Sequence, residues 1–145
     1  MNLFVYGTLR VPQIWAAVSA SPQTSAVPAI LPGYRIRRVA GGDFPVIGAD
    51  ASAIEPVPGN LMLDVSDEAM ARLDAYEDFF YIRTSVKVET PEGPREAEAY
   101  VVPPNRTELF SDDPWTLNWF EETALARFWE RNFGGPLDKP SRKFS

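Results

Sequence analysis

The apolar positions of the chain fall into runs of two periods. Asn2-Leu3-Phe4-Val5-Tyr6 is a short continuous run of branched and aromatic side chains stopped by Gly7, which predicts a strand. Tyr34 to Val39 and Asn60 to Val65 read as two further strands. Phe44 to Ile47 is a short extended piece after the turn Gly41-Gly42-Asp43. Residues 80–89 alternate, with Ile82, Thr84, Val86 and Val88 on one face and Arg83, Ser85, Lys87 and Glu89 on the other. Pro91-Glu92-Gly93-Pro94 turns the chain and Glu96 to Val102 alternates back, so a hairpin is expected. Loops are expected around Pro28, Pro32 and Gly33 and from Ala49 to Gly59.

Three segments carry a helical pattern. Ile14 to Val18, between Pro12 and Pro22, allow one short helix. Ser66 reads as an N-cap, with Asp67 and Glu68 in the first turn of a helix to about Tyr76. Asp113-Pro114 reads as the start of a last helix, Asp as cap and Pro at its first position, ending at Gly134-Gly135-Pro136. Leu117, Phe120, Ala124 and Phe128 share a face of it, widened by Trp115 and Trp119, which suits docking on a sheet or barrel. No repeat or linker interrupts the pattern. The reading is one α+β domain over 1–135 with an antiparallel or mixed sheet, followed by a loose tail over 136–145.

Composition narrows the chemistry. A length of 145 residues supplies one core, and a net charge of −6 without a basic stripe disfavours a nucleic-acid partner. No apolar run is long enough to span a bilayer, and the first residues lack a signal-peptide pattern, so no membrane partner and a cytoplasmic location are expected. The chain has no Cys and no His. That removes thiol nucleophiles, Ser-His-Asp triads and imidazole or thiolate metal sites, leaving carboxylates, hydroxyls, Lys, Arg and backbone dipoles as reactive groups.

Two places stand out. The turn Tyr6-Gly7-Thr8-Leu9 ends a strand on a glycine, where the backbone bends and its N–H groups can converge on an anion; an ordinary turn has the same signature. If the helix from Asp67 runs one turn further, Met70, Leu73 and Glu77 share a face and Glu77 is carried inward, while Asp74 and Asp78 diverge. A carboxyl among Tyr76, Phe79, Phe80 and Tyr81 would be poorly solvated and would hold its proton more tightly, as suits a general acid or base. A surface Glu at a frayed helix end, or one tied to Arg83, fits the same pattern. Asp43, beside Phe44, has no evident partner.

In combination, Phe4-Val5-Tyr6-Gly7-Thr8-Leu9-Arg10, Gly59-Asn60-Leu61-Met62-Leu63-Asp64-Val65 and Leu73-Asp74-Ala75-Tyr76-Glu77-Asp78-Phe79-Phe80-Tyr81-Ile82-Arg83 resemble the gamma-glutamylcyclotransferase-like, or AIG2-like, proteins over roughly residues 3 to 102. The resemblance implies a small mixed β-barrel with flanking helices. It implies conversion of a gamma-glutamyl amine or amino acid to 5-oxoproline and a free amine, without cofactor or metal. Tyr6, Gly7, Thr8 and Leu9 would then form the substrate pocket and Glu77 would be the catalytic acid/base. Asp78 stands where that group often has glycine. A member that keeps the pocket only for binding a small molecule or a partner is the alternative. The leaving group and the oligomeric state are not legible from the sequence.

Overall fold

The computed structural model describes residues 1–135 and 137. Seven strands form, β1 (Leu3–Val5), β2 (Ala26–Leu31), β3 (Tyr34–Arg38), β4 (Pro45–Ala49), β5 (Val57–Met62), β6 (Ile82–Thr90) and β7 (Gly93–Val101). Five of them close a barrel in the order β1-β5-β2-β6-β7, while β3 and β4 pair as a separate two-stranded sheet. The barrel is mixed: its pairs are antiparallel except β1 with β7, which meet in parallel at Leu3 and Glu98. The helices α1 (Pro12–Ser19) and α2 (Asp67–Tyr76) lie in the connections, and the C-terminal helical segment completes the expected α+β barrel.

The continuous apolarity of β1 follows from burial on both faces. Phe4 and Tyr6 point into the barrel with Leu31, Ile47, Leu61, Val88 and Ala99. Leu3 and Val5 point outward, into a second core with α1, α2 and the C-terminal segment, where Ile14, Trp15, Met70, Leu73, Phe120 and Phe128 gather. The expected hairpin forms, paired from Ile82 opposite Val101 to Thr90 opposite Gly93, so the turn is tighter than the Pro91–Pro94 of the sequence reading.

Three boundaries differ from the sequence reading. The Pro28 segment is not a loop but strand β2. It pairs with β5 along its length and with β6 only at Ile30 and Glu89, and so has a flank where a missing proline N–H is tolerated. The fifth strand covers 57–62 rather than 60–65, because Asp64 (φ 53°) turns the chain at its end. Gly59 lies within it for lack of room: a Cβ there would strike the Val5 carbonyl oxygen and approach the Phe4 ring to 2.7 Å. Asp113 does not cap the last helix. Thr116 does, its Oγ1 accepting the Trp119 N–H at 3.0 Å, while Asp113 pairs with Arg38 at 2.9 Å. The segment then runs through α3 (Leu117–Trp119), a π turn (Phe120–Ala124) and α4 (Leu125–Phe133).

The expected tail lies outside the described residues except Leu137, which packs against the helical core. Among the described residues no helix is long and apolar enough to cross a membrane.

The cap of α2 forms as expected, Ser66 Oγ accepting the Ala69 N–H at 3.1 Å. Ser66→Ala is expected to lower unfolding free energy by about 1 kcal/mol, read as a shift in the urea midpoint at unchanged slope.

Candidate functional site

A cleft of about 110 Å³ opens where the end of β1, the exit of α2, the Phe44-Pro45 segment and α4 meet. Tyr6, Gly7, Thr8, Leu9 and Glu77, the residues singled out in the sequence, all line it. Thr8 to Arg10 form one 3-10 turn, so its first N–H groups have no partner within the turn. The glycine serves a close approach between two backbone segments: a Cβ on Gly7 would meet Pro45 Cγ at 2.7 Å and Cδ at 2.9 Å. Thr8 Oγ1 and the Tyr76 hydroxyl are hydrogen-bonded at 2.8 Å, which ties the turn to the residue preceding Glu77.

Glu77 reaches the cleft by a different route from the one expected. α2 stops at Tyr76, and Glu77 is its C-cap in an extended conformation (φ −72°, ψ 145°), its N–H bonded to the Leu73 carbonyl. Met70 and Leu73 do face the core, but Glu77 is turned inward by the departing chain and not by a further helical turn. Nor is it tied to Arg83, whose guanidinium pairs with Asp74 at 3.3 Å and Glu98 at 3.7 Å. Asp78 does not diverge; it lines the cleft beside Glu77. Burial is the main cause that raises the Glu77 carboxyl from its ordinary 4.5 to about 8, and the charges of Asp78 and then Asp74 add to it.

Four tyrosines surround this carboxyl. Tyr6 donates to the Tyr100 carbonyl, Tyr81 to the Pro45 carbonyl at 2.6 Å, and Tyr100 to Asp74 Oδ1 at 2.6 Å. Burial chiefly, and the nearby Glu77 charge in part, hold all four phenols above their ordinary value, so they stay protonated donors at neutral pH. The sequence reading placed Tyr76 and Tyr81 near Glu77 but missed Tyr100, Phe128 and Asn132 as cleft walls. The apolar run Ala99-Tyr100-Val101-Val102, where hairpin alternation fails, was the available signal for Tyr100, since all four residues are buried. Asp43 has a partner after all: Arg127 grips its carboxylate with two hydrogen bonds, at 2.9 and 2.7 Å.

The described residues contain no cluster of His, Cys, Asp or Glu able to hold a metal ion. The cleft therefore offers a partly buried carboxyl of high proton affinity, fixed phenols and a tight turn whose first N–H groups are unpaired within it, without a lining Lys or Arg among the described residues.

Comparison with known proteins supplies the context. The protein AIG2 C of Arabidopsis thaliana is 34% identical over 87 residues, which are 60% of this chain and 51% of that protein. The chain spans about half the length of the curated relatives it matches. A solution structure of an Arabidopsis thaliana protein superposes with a TM-score of 0.66 at 28% identity, covering 90% of this chain and 78% of that one. The crystal structure of an AIG2-like protein from Mus musculus shares the fold, with a TM-score of 0.60 at 19% identity over 77% of this chain and 86% of that one. The family model described as gamma-glutamyl cyclotransferase, AIG2-like, matches residues 3–117. By this match the chain belongs to the gamma-glutamyl cyclotransferase, AIG2-like family.

Proposed function

We propose that the protein is a gamma-glutamyl cyclotransferase that releases 5-oxoproline and a free amine from a gamma-glutamyl amine or amino acid, with Glu77 as general base and acid. The observation that carries this reading is the convergence of the Tyr6–Leu9 turn and the Glu77 carboxyl on one cleft. In this reaction the substrate's own α-amine attacks its γ-carbonyl carbon. A C–N bond closes the five-membered ring and the C–N bond to the departing amine breaks. The nucleophile is tethered, so the protein gains the large rate advantage of an intramolecular step by holding the folded conformer. It must also take the ammonium proton and return it to the leaving nitrogen. A chain without Cys and His is not handicapped for this chemistry.

Glu77 suits the proton transfer because its affinity for a proton is tuned close to neutrality. The N–H groups of the turn, unpaired within it, are the donors for the substrate carboxylate or for the oxygen that gains charge during attack. The tyrosine hydroxyls are committed to the Tyr100 carbonyl, the Pro45 carbonyl and Asp74, which holds the rings in place as walls.

Incubation with a panel of gamma-glutamyl amines and amino acids, with 5-oxoproline read by mass spectrometry, tests the reaction. Binding without 5-oxoproline from any of them would instead support a non-catalytic binding protein. The pH profile is a second expected result. The base must be ionised in the free enzyme, so kcat/KM is expected to rise with pH through about 8, the Glu77 value. A profile flat between pH 6 and 9 on a substrate with a constant amine state would contradict the role of Glu77.

A further inference from the structure

A second hollow, about 450 Å³, lies along an adjoining face of α4, against the turn between β3 and β4. Arg38, Arg127 and Arg131 line it with Asp43 and Asp113. Arg38 pairs with Asp113, and its guanidinium also stands 4.8 Å over the Trp119 ring. Arg127 is paired with Asp43. Arg131 makes no ion pair among the described residues, so three guanidinium groups face two carboxylates on a protein whose net charge is −6. All three cations act on Asp43, which Arg127 chiefly, and Arg131 and Arg38 more weakly, hold below the ordinary carboxyl value. The Gly41-Gly42 turn also lines the hollow. Gly41 (φ 78°) has open space where a Cβ would stand.

A concentration of planar, permanently charged donors lining one open hollow is the arrangement that recognises oxyanions. We propose that this groove binds a small multivalent oxyanion, a phosphate or polycarboxylate group, with Arg131 as its free donor and Arg127 recruited from Asp43. The site is separate from the Glu77 cleft, though the two share walls. α4 presents Phe128 and Asn132 to one and Arg127 and Arg131 to the other, and Asp43 precedes the Phe44-Pro45 segment. The proposal does not depend on the cyclotransferase reading.

The test is an NMR titration of the full chain with inorganic phosphate and with citrate at constant ionic strength, following the Arg Nε–H and glycine amide signals. Saturable shifts at Arg127, Arg131, Gly41 and Gly42 are expected, for phosphate, citrate or both. Arg131→Gln is expected to weaken binding about tenfold, the usual scale for losing one charge-assisted hydrogen bond. Asp43→Asn is expected to tighten it by about threefold or more, because it removes the carboxylate that competes for Arg127. The Asp43 carbonyl keeps its bond from Trp115 Nε1 at 2.8 Å, so the backbone stays in place. Absence of saturation with both anions, affinity unchanged in Arg131→Gln, or weaker binding in Asp43→Asn would each overturn the proposal.

Discussion

Glu77→Gln is expected to abolish turnover nearly completely while making the folded protein more stable at alkaline pH. The loss should be roughly 10²–10⁴-fold in kcat, the range for removing a general acid–base group. The amide is isosteric and keeps the contacts of the chain leaving α2, so folding is undisturbed. The stability effect follows from linkage. Glu77 holds its proton up to about pH 8 when folded, against an ordinary value of 4.5. Between those values the native state carries a proton that the unfolded chain has lost. Stability from this group is therefore greatest below pH 4.5, falls as pH rises toward 8, and stays at its lowest above that. Glutamine removes the penalty. At pH 8.5 the variant should exceed the parent by about 2 kcal/mol after discounting for solvent reaching the half-buried carboxyl, with little difference at pH 4.5. Chemical denaturation of both proteins at the two pH values measures this. Equal pH dependence in the two would mean that Glu77 is solvated normally.

Gly7→Ala is expected to damage both stability and function. The added methyl has no free volume, since Pro45 Cγ and Cδ already stand 2.7 and 2.9 Å from where it would lie. Overpacking of this kind costs about 1–3 kcal/mol. The displaced segment would carry Thr8 and Pro45, two walls of the cleft, and a shift of about 1 Å at such a site can lower turnover by 10²-fold. Pro45→Ala in the same chain removes the ring that the methyl strikes. The double variant should recover part of the stability lost in Gly7→Ala, a coupling that thermal unfolding of the four proteins measures. Strict additivity would show that the glycine is needed for some other reason.

The sequence was most legible where one local rule decided the outcome. The hairpin from Ile82 to Val101 followed from alternation, and the start of α2 from the Ser66 cap. It was least legible where tertiary neighbours decided. Pro28 and Gly59 look like loop residues, and only the half-free flank of β2 and the crowding of Phe4 and Val5 explain them inside strands. Glu77 illustrates both at once: its inward placement was anticipated, but the helical periodicity used to argue it stops one residue short. Of the arriving partners of the cleft, Tyr100 had a local signal in the apolar run Ala99 to Val102, while Phe128 and Asn132 come from a distant element that no local pattern could assign. Asp43 likewise gained its Arg127 partner only through the packing of α4 on the β3–β4 turn.

The central claim is that the Tyr6–Leu9 turn and Glu77 hold one substrate between them. A crystal structure with 5-oxoproline, the expected product, tests it most directly. The account predicts the ring inside the cleft, its carboxylate or lactam oxygen facing the N–H groups of Thr8 and Leu9 and its ring nitrogen within hydrogen-bonding reach of the Glu77 carboxyl. A 5-oxoproline bound elsewhere, or bound in the cleft with Glu77 turned away from the ring nitrogen, would contradict it.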